Sequence, residues 1–207
     1  MGDAGYVQLL DLAAGAVLLT AVLTLWRPEP PAVNRFLVLQ GIALGGLAAV
    51  RAGHEGSVAL AGLAAGILVL RAGVLPYLVH RLPVRDARRQ VGMPVTLLAA
   101  AALTLVAFAV SQPVIRSAPA PATGAVPAGV AVLLIGFLVL VSVRGATSQA
   151  VGFLLADNGI TAVAVLTTTA VPLLAGLAVA LDVLLAALAW MIITADTDPA
   201  ELRELHD

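Results

Sequence analysis

Cysteine is absent from this 207-residue chain, and so is lysine. Without thiolates the protein offers no ligands for an iron–sulfur cluster, cannot form disulfide bonds and has no cysteine nucleophile. The three histidines, His54, His80 and His206, lie outside the middle of the apolar runs, and no two share a predicted helix, which argues against a bis-histidine haem. We therefore expect no redox cofactor, no metal and no other prosthetic group on this chain.

Charge is also scarce, because only 11% of the residues are charged while 61% are hydrophobic and the mean hydropathy is +1.05. A soluble domain is about 25% charged and about 45–50% apolar. The sequence therefore predicts an integral membrane protein, and its net charge of −1 gives no case for nucleic-acid binding. All eleven basic residues are arginine, which with the abundant Ala, Gly, Val and Leu is typical of a high-GC bacterial genome and favours a bacterial cytoplasmic membrane.

Seven apolar runs are long enough to cross a bilayer, which takes about 17–25 helical residues. They cover residues 5–26, 36–52, 58–79, 93–111, 126–143, 149–167 and 171–194. The first run has no basic segment before it and no small-residue cleavage site, so we interpret it as a retained helix. We predict an all-α integral membrane protein with about seven transmembrane helices, arranged as four spans over 1–123, a three-helix unit over 124–194 and an acidic tail over 195–207.

The distribution of arginine predicts the orientation. With the N-terminus outside, the predicted cytoplasmic loops contain seven arginines and the outer loops contain two, Arg51 and Arg116. An excess of basic residues in cytoplasmic loops is the usual pattern in membrane proteins. The C-terminal tail is then expected to be cytoplasmic.

Three ionisable residues fall deep inside predicted spans: Arg71, Asp157 and Asp182. A charge at the bilayer centre costs about 2.5–3.5 kcal/mol even on the lenient insertion scale. A turn at 168–170 would join the last two spans into a hairpin, with both carboxylates about 16–18 Å from the turn at 1.5 Å per residue. Two such carboxylates do not both ionise cheaply, so at least one is expected to take up and release a proton near neutral pH.

Arg71 keeps its charge inside a protein and could hold one aspartate ionised while the other titrates. The alternative is a structural pair that only ties helices together. Gln40, Gln149 and Asn158 are also polar and lie in or near the spans, and each is either an interhelical hydrogen-bond partner or a contact on a water wire.

The segment from Gln149 to Ile160 resembles the membrane subunit called hydrogenase-4 component E. That family carries a G-x-x-x-x-E-N-G motif in its sixth span, and this chain has Gly152 followed by Asp157-Asn158-Gly159. Here the acidic position is the shorter aspartate. The resemblance extends over nearly the whole chain.

Three other positions contribute to the resemblance. Arg71, followed by Gly73-Val-Leu-Pro76, is similar to a family segment with Lys and a V-L-x-P sequence. Gln40 matches a glutamine in the second span, and Asp182 is similar to an acidic residue of the seventh span. Residues 124–194 also resemble the K-type subunit of respiratory complex I, in which the first of two carboxylates corresponds to Leu154, one turn before Asp157.

The resemblance implies a non-catalytic, non-redox subunit of an energy-converting oxidoreductase complex. Antiporter-like membrane subunits and other subunits of a hydrogenase-like or complex-I-like assembly would be its partners, together with membrane lipid. Asp157, Asp182 and Arg71 would then belong to a proton-translocation path. Two rivals stay open: a stand-alone secondary transporter, although no inverted repeat is evident, and a purely structural membrane anchor.

Overall fold

The computed structural model of the protein describes residues 3–27, 29–81, 88–89, 92–117, 120–144 and 146–167. These ranges are almost entirely helical, and six of their helices are long and apolar enough to cross a membrane. By length and composition the protein is therefore a multi-pass membrane protein. The seventh predicted span (171–194) with Asp182, the tail (195–207) and most of the loop after Arg81 lie outside the described residues.

The first three spans are formed by five helical segments. These are α1 (Asp3–Trp26), α2 (Pro30–Glu55), α3 (Val58–Ile67), a π-helical segment (Leu68–Val74) and α4 (Leu75–Arg81). The last three segments follow one another without a break and together make the third span.

The remaining spans are α5 (Met93–Ser117), α6 (Val126–Ser142) and α7 (Ala146–Thr167). A short 3₁₀ helix (Pro121–Ala125) leads into α6. Two strands of two residues each, β1 (Arg88–Arg89) and β2 (Val143–Arg144), pair antiparallel and join the loop before α5 to the loop after α6.

The second span is longer than the sequence suggested, because α2 continues to Glu55 rather than ending at residue 52. Gly56 ends the helix in the left-handed conformation, with φ of 63°, and Ser57 then caps α3 by accepting a hydrogen bond from the amide of Leu60. Arg51, expected in an outer loop, is instead a buried residue of α2. The loop expectation was wrong because polar side chains continue the helix beyond its apolar part.

Helices α2 and α6 occupy the middle of the bundle. Helix α2 packs against α1, the whole third span and α7, while α6 packs against α1, α5 and α7. Contacts between α1 and α6 and between α2 and α7 cross the predicted boundary at residue 124, so the described parts of the two predicted units pack together. Helix α5 lies at the periphery and exposes several large apolar side chains, as a lipid-facing helix does.

Contacts between helix termini define two ends of the bundle. At one end, the ring of Tyr6 near the start of α1 stacks on His54 near the end of α2, with ring centroids 3.8 Å apart. Arg51 also donates a hydrogen bond there to the carbonyl of Val165 near the end of α7. We name this the Tyr6 end. The β1–β2 pair lies in the loops at the opposite end, which the arginine distribution predicts to be cytoplasmic.

Candidate functional site

Four of the predicted polar residues meet inside the bundle and form one hydrogen-bonded group, which we name the central cluster: Gln40, Arg71, Asp157 and Asn158. Nη2 of Arg71 donates to Oδ2 of Asp157 at 2.5 Å, and Nη1 donates to Oδ1 of Asn158. Nδ2 of Asn158 donates to Oε1 of Gln40 at 2.8 Å. Nε2 of Gln40 in turn donates to the carbonyl of Val17 at 3.2 Å. The cluster therefore connects α1, α2, the third span and α7.

The central cluster is excluded from solvent and lies near the middle of its helices. The exposed fractions of Gln40, Arg71, Asp157 and Asn158 are 0%, 3%, 3% and 4%. Asp157 is in the middle of α7, and Arg71 is in the middle of the third span. A buried ion pair is tolerated only when its geometry is good and further hydrogen bonds satisfy its atoms. Asn158 supplies such a bond, because its Oδ1 accepts from Nη1 of Arg71 while Nη2 donates to Asp157.

Gly41 allows α2, which carries Gln40, to lie close to the third span, which carries Arg71. The backbone of Arg71 lies so close to Gly41 that an added Cβ on this glycine would be 2.5 Å from the Arg71 carbonyl oxygen. One turn later, Gly45 contacts the side chain of Leu68. The G-x-x-x-G spacing in α2 thus lets the third span approach α2 closely, beside Gln40. Arg71 also lies within the π-helical segment, a type of helix that is frequent at functional sites.

The Asp-Asn-Gly motif divides between two faces of α7. Asp157 and Asn158 bond residues of the second and third spans. Gly159 faces α6 instead, where an added Cβ would collide with the backbone nitrogen of Leu133. Gly152 lies against Leu140 of the same helix. The motif therefore combines a polar contact with a close-packed seam, and the glycines hold α7 at the depth where its two polar residues meet Arg71.

Two other predicted residues are not part of the described cluster. Gln149 is exposed in the first turns of α7, and Asp182 lies outside the described residues. Within the described ranges, no group of three or more His, Asp or Glu side chains could hold a metal ion. The central cluster contains one carboxylate, one guanidinium and two side-chain amides, which are joined by hydrogen bonds.

A second polar group, which the sequence analysis missed, lies at the Tyr6 end. Arg51 is 5% exposed and donates through Nε to Oε1 of Glu55 at 2.8 Å, while Nη1 donates to the Val165 carbonyl. Tyr6 and His54 stack beside this pair. The four-residue spacing of Arg51 and Glu55, which places the two side chains on one helix face, was the available signal. We name Arg51, Glu55, Tyr6 and His54 the Tyr6-end group.

One buried hydroxyl of α7 was also missed. Thr161 is 3% exposed, one turn beyond Asp157, and its Oγ1 has no hydrogen-bond partner among the described residues. Other hydroxyls in the spans bond a carbonyl three or four residues earlier, as Thr20, Thr24 and Ser111 do. Such local bonding is the usual solution for threonine in a membrane helix, so Thr161 is an exception.

Comparison with known proteins gives one informative match. Neither a protein-family model nor a solved structure matches the chain. The uncharacterized protein Rv0085 of Mycobacterium tuberculosis is 40% identical to the chain over an alignment of 220 positions that covers 100% of both proteins.

Proposed function

The chain belongs to the family of the uncharacterized mycobacterial protein Rv0085, and we propose that it is a non-redox membrane subunit of a complex-I-like or hydrogenase-4-like energy-converting complex. In this proposal the central cluster belongs to a proton-translocation path. The observation that supports it best is the ion pair of Arg71 and Asp157, buried at mid-span and joined to Asn158 and Gln40. Ionisable groups at that depth are expensive, and in membrane proteins they mark proton and ion routes.

The geometry supports separate roles for Arg71, Asp157 and Asn158 in proton transfer. Arg71 carries a permanent positive charge and forms an ion pair with the Asp157 carboxylate. When a proton reaches Asp157, the attraction between the two side chains is lost, and the Arg71 guanidinium keeps Asn158 as a neutral partner. Arg71 then attracts any second carboxylate within reach and favours loss of that group's proton. We propose Asp182 as this second carboxylate, on the basis of its predicted depth.

The proposal includes partners and a location. Protonation changes at the cluster would pass laterally to antiporter-like membrane subunits, while electron transfer takes place on other chains. The apolar exposed face of α5 is available to lipid or to such subunits. We place the complex in the bacterial cytoplasmic membrane with the Tyr6 end outside, supported by the arginine distribution and by the bacterial origin of the similar protein.

Copurification and transport measurements together test the proposal. The tagged chain is solubilised gently from its own membranes, its partners are identified by mass spectrometry, and the complex is reconstituted in liposomes with a pH-sensitive dye. We expect Asp157→Asn and Asp182→Asn to abolish proton-coupled turnover while the complex still assembles. Asp11→Asn is the matched control, because Asp11 is exposed on α1 and outside the described cluster. Full proton translocation by both aspartate variants would refute the assignment.

A structural clamp is the rival that one observation favours, because the hydrogen bonds of the central cluster tie four spans together. In that case both aspartate variants would stay active and would unfold at lower temperature. A stand-alone transporter would move an ion or solute after reconstitution of the purified chain without partners.

A further inference from the structure

The stretch between the central cluster and the Tyr6-end group is lined by two facing helix surfaces. Along α2, Gln40 and Arg51 are eleven residues apart, which is about three turns at 3.6 residues per turn, so both lie on one face. Both bond α7, Gln40 through Asn158 and Arg51 through the Val165 carbonyl. The same two faces therefore oppose each other along the whole interval from the middle of the bundle to the Tyr6 end.

Among the described residues, the α2 side of this interval is apolar, and the α7 side has a single polar side chain. Between Gln40 and Arg51, the same face of α2 presents Leu44, Leu47 and Ala48, all fully buried. On α7, Thr161 stands between Asp157 and Val165, four residues from each, or about 6 Å along the axis at 1.5 Å per residue. Its hydroxyl, which has no hydrogen-bond partner in the described part of the chain, is thus midway between the two polar groups.

A buried hydroxyl without a partner costs about 1–3 kcal/mol, and water is the usual remedy when other polar groups lie near. Oxygen atoms in a hydrogen-bonded chain are about 2.7–2.8 Å apart. One or two water molecules on each side of Thr161 therefore suffice to bridge Asp157 to the Val165–Arg51 contact. Glu55, bonded to Arg51 and with 37% of its side chain exposed, ends this line at the surface.

We propose that Thr161, Arg51 and Glu55 form a water-accessible arm through which the Arg71–Asp157 pair exchanges protons with the aqueous phase at the Tyr6 end. The inference rests on the proposed function for its proton role. Each transfer moves one proton from a donor oxygen to the neighbouring acceptor: from the Asp157 carboxyl to water at Thr161, and from water to the Glu55 carboxylate. No electron is transferred. Within the described ranges, the other charged or titratable groups placed around Glu55 are Arg51, Tyr6 and His54.

The absence of cysteine makes a direct test possible, because a single introduced thiol is the only one in the chain. Thr161→Cys is compared with Thr20→Cys, since Thr20 is also buried but bonds carbonyls of its own helix. Sealed vesicles are treated with silver ion, which reacts with thiolates and cannot cross the membrane. The thiols that remain are counted with a fluorescent maleimide after denaturation.

We expect the Thr161→Cys thiol to be blocked about tenfold faster than the Thr20→Cys thiol, because only a hydrated thiol ionises readily to the reactive thiolate. Blocking should occur only when silver is present at the Tyr6 end, and Glu55→Cys should react faster still. Equal protection of the Thr161→Cys and Thr20→Cys thiols would overturn the arm, and so would reaction from the opposite end alone.

Hydroxyl-radical footprinting of the unmodified protein gives a second readout that needs no variant. Radicals formed from bound water should oxidise Leu44 and Leu47 more than Leu10 and Leu60, which are equally buried on other helices. Equal oxidation of the four leucines would contradict the arm even if Thr161→Cys misfolded.

Transport separates this inference from the proposed function. In the reconstituted complex, Thr161→Val should lose proton translocation, Thr161→Ser should restore it, and Thr20→Val should retain it. Loss in Asp157→Asn with full activity in Thr161→Val would remove the proton role of the arm and leave the proposed function standing. Full activity in both Asp157→Asn and Asp182→Asn would refute the proposed function, and the proton role of the arm would fall with it.

Discussion

Arg71 and Arg51 are both buried and both hold a carboxylate, but their two ion pairs are built in different ways. Arg71 bonds Asp157 from another helix, 86 residues away, and both side chains are nearly inaccessible. Arg51 bonds Glu55 one turn further along the same helix, and Glu55 is partly exposed. One pair is thus a tertiary contact in the interior, and the other is a local contact at an end of the bundle.

Burial determines how much stability is lost when one member of an ion pair is removed. Removing one member of a buried pair leaves a charge with neither water nor counterion, which is far more costly than the pair was worth. A partly exposed pair can be replaced by water and is screened by salt. We therefore expect the loss of one member of the Arg71–Asp157 pair to lower the free energy of unfolding much more than the loss of Glu55 from the Arg51–Glu55 pair.

Arg71→Ala is the variant that should separate the two pairs most clearly. It leaves the Asp157 carboxylate buried without its counterion, so we expect the free energy of unfolding to fall by about 3–5 kcal/mol. Chemical unfolding in mixed micelles measures this difference. Arg116→Ala is the control, because Arg116 is an exposed arginine of α5 and a surface substitution usually changes stability by less than about 0.5 kcal/mol.

The double variant Arg71→Ala/Asp157→Ala completes the test. Because it removes both charges, it should be less destabilised than the sum of the two single variants. Strict additivity of the two single effects would mean that the two side chains are not coupled, and the comparison between the pairs would fail.

Gly41→Ala tests whether the interior pair depends on a close backbone approach. An added methyl group would be 2.5 Å from the carbonyl oxygen of Arg71, so the third span must move away from α2. We expect a loss of about 1–3 kcal/mol in the free energy of unfolding, which is typical of overpacking.

Gly62→Ala is the matched control for Gly41→Ala. Gly62 also begins a G-x-x-x-G sequence but has no other atom within 4 Å of an added Cβ. Because alanine favours a helix by about 1 kcal/mol over glycine, this variant should be neutral or slightly more stable. Similar losses from both variants would show that the α2 glycine has no special role.

Much of the fold and of the site could be predicted because a lipid bilayer restricts spanning segments to a few structures and makes buried charge costly. Apolar run length predicted the six candidate membrane spans that the described residues contain, and the cost of buried charge singled out Arg71 and Asp157. The spacing of residues in the sequence could not predict which neighbouring helix the Arg71 side chain faces. Whether Arg71 faces Asp157 depends on the rotation of the third span, which the close contact at Gly41 and the π-helical segment determine.

The Tyr6-end group was missed for a related reason. Hydropathy ended the second span at residue 52 because charged residues follow, although a helix continues wherever its polar side chains find partners. Arg51 finds Glu55 on its own helix and the Val165 carbonyl on α7, 114 residues away. Thr161 carried no signal, since a lone threonine in an apolar run usually bonds its own helix.

Glu55→Gln should have the smallest effect on the free energy of unfolding, and this effect should depend on the salt concentration. Arg51 keeps its bond to the Val165 carbonyl, and water can solvate the exposed side of the lost carboxylate. We expect a loss of about 0.2–1 kcal/mol in the free energy of unfolding. This loss should shrink as the salt concentration rises from about 0.01 M to 1 M, because the Debye length falls from about 30 Å to 3 Å. The larger loss in Arg71→Ala should not change with salt, since the interior pair is screened much less.

The opposite result would be a loss in the free energy of unfolding for Glu55→Gln as large as that for Arg71→Ala at every salt concentration. The Arg51–Glu55 pair would then also be desolvated. Water would then have no access at Glu55, and the arm would have no opening at the Tyr6 end.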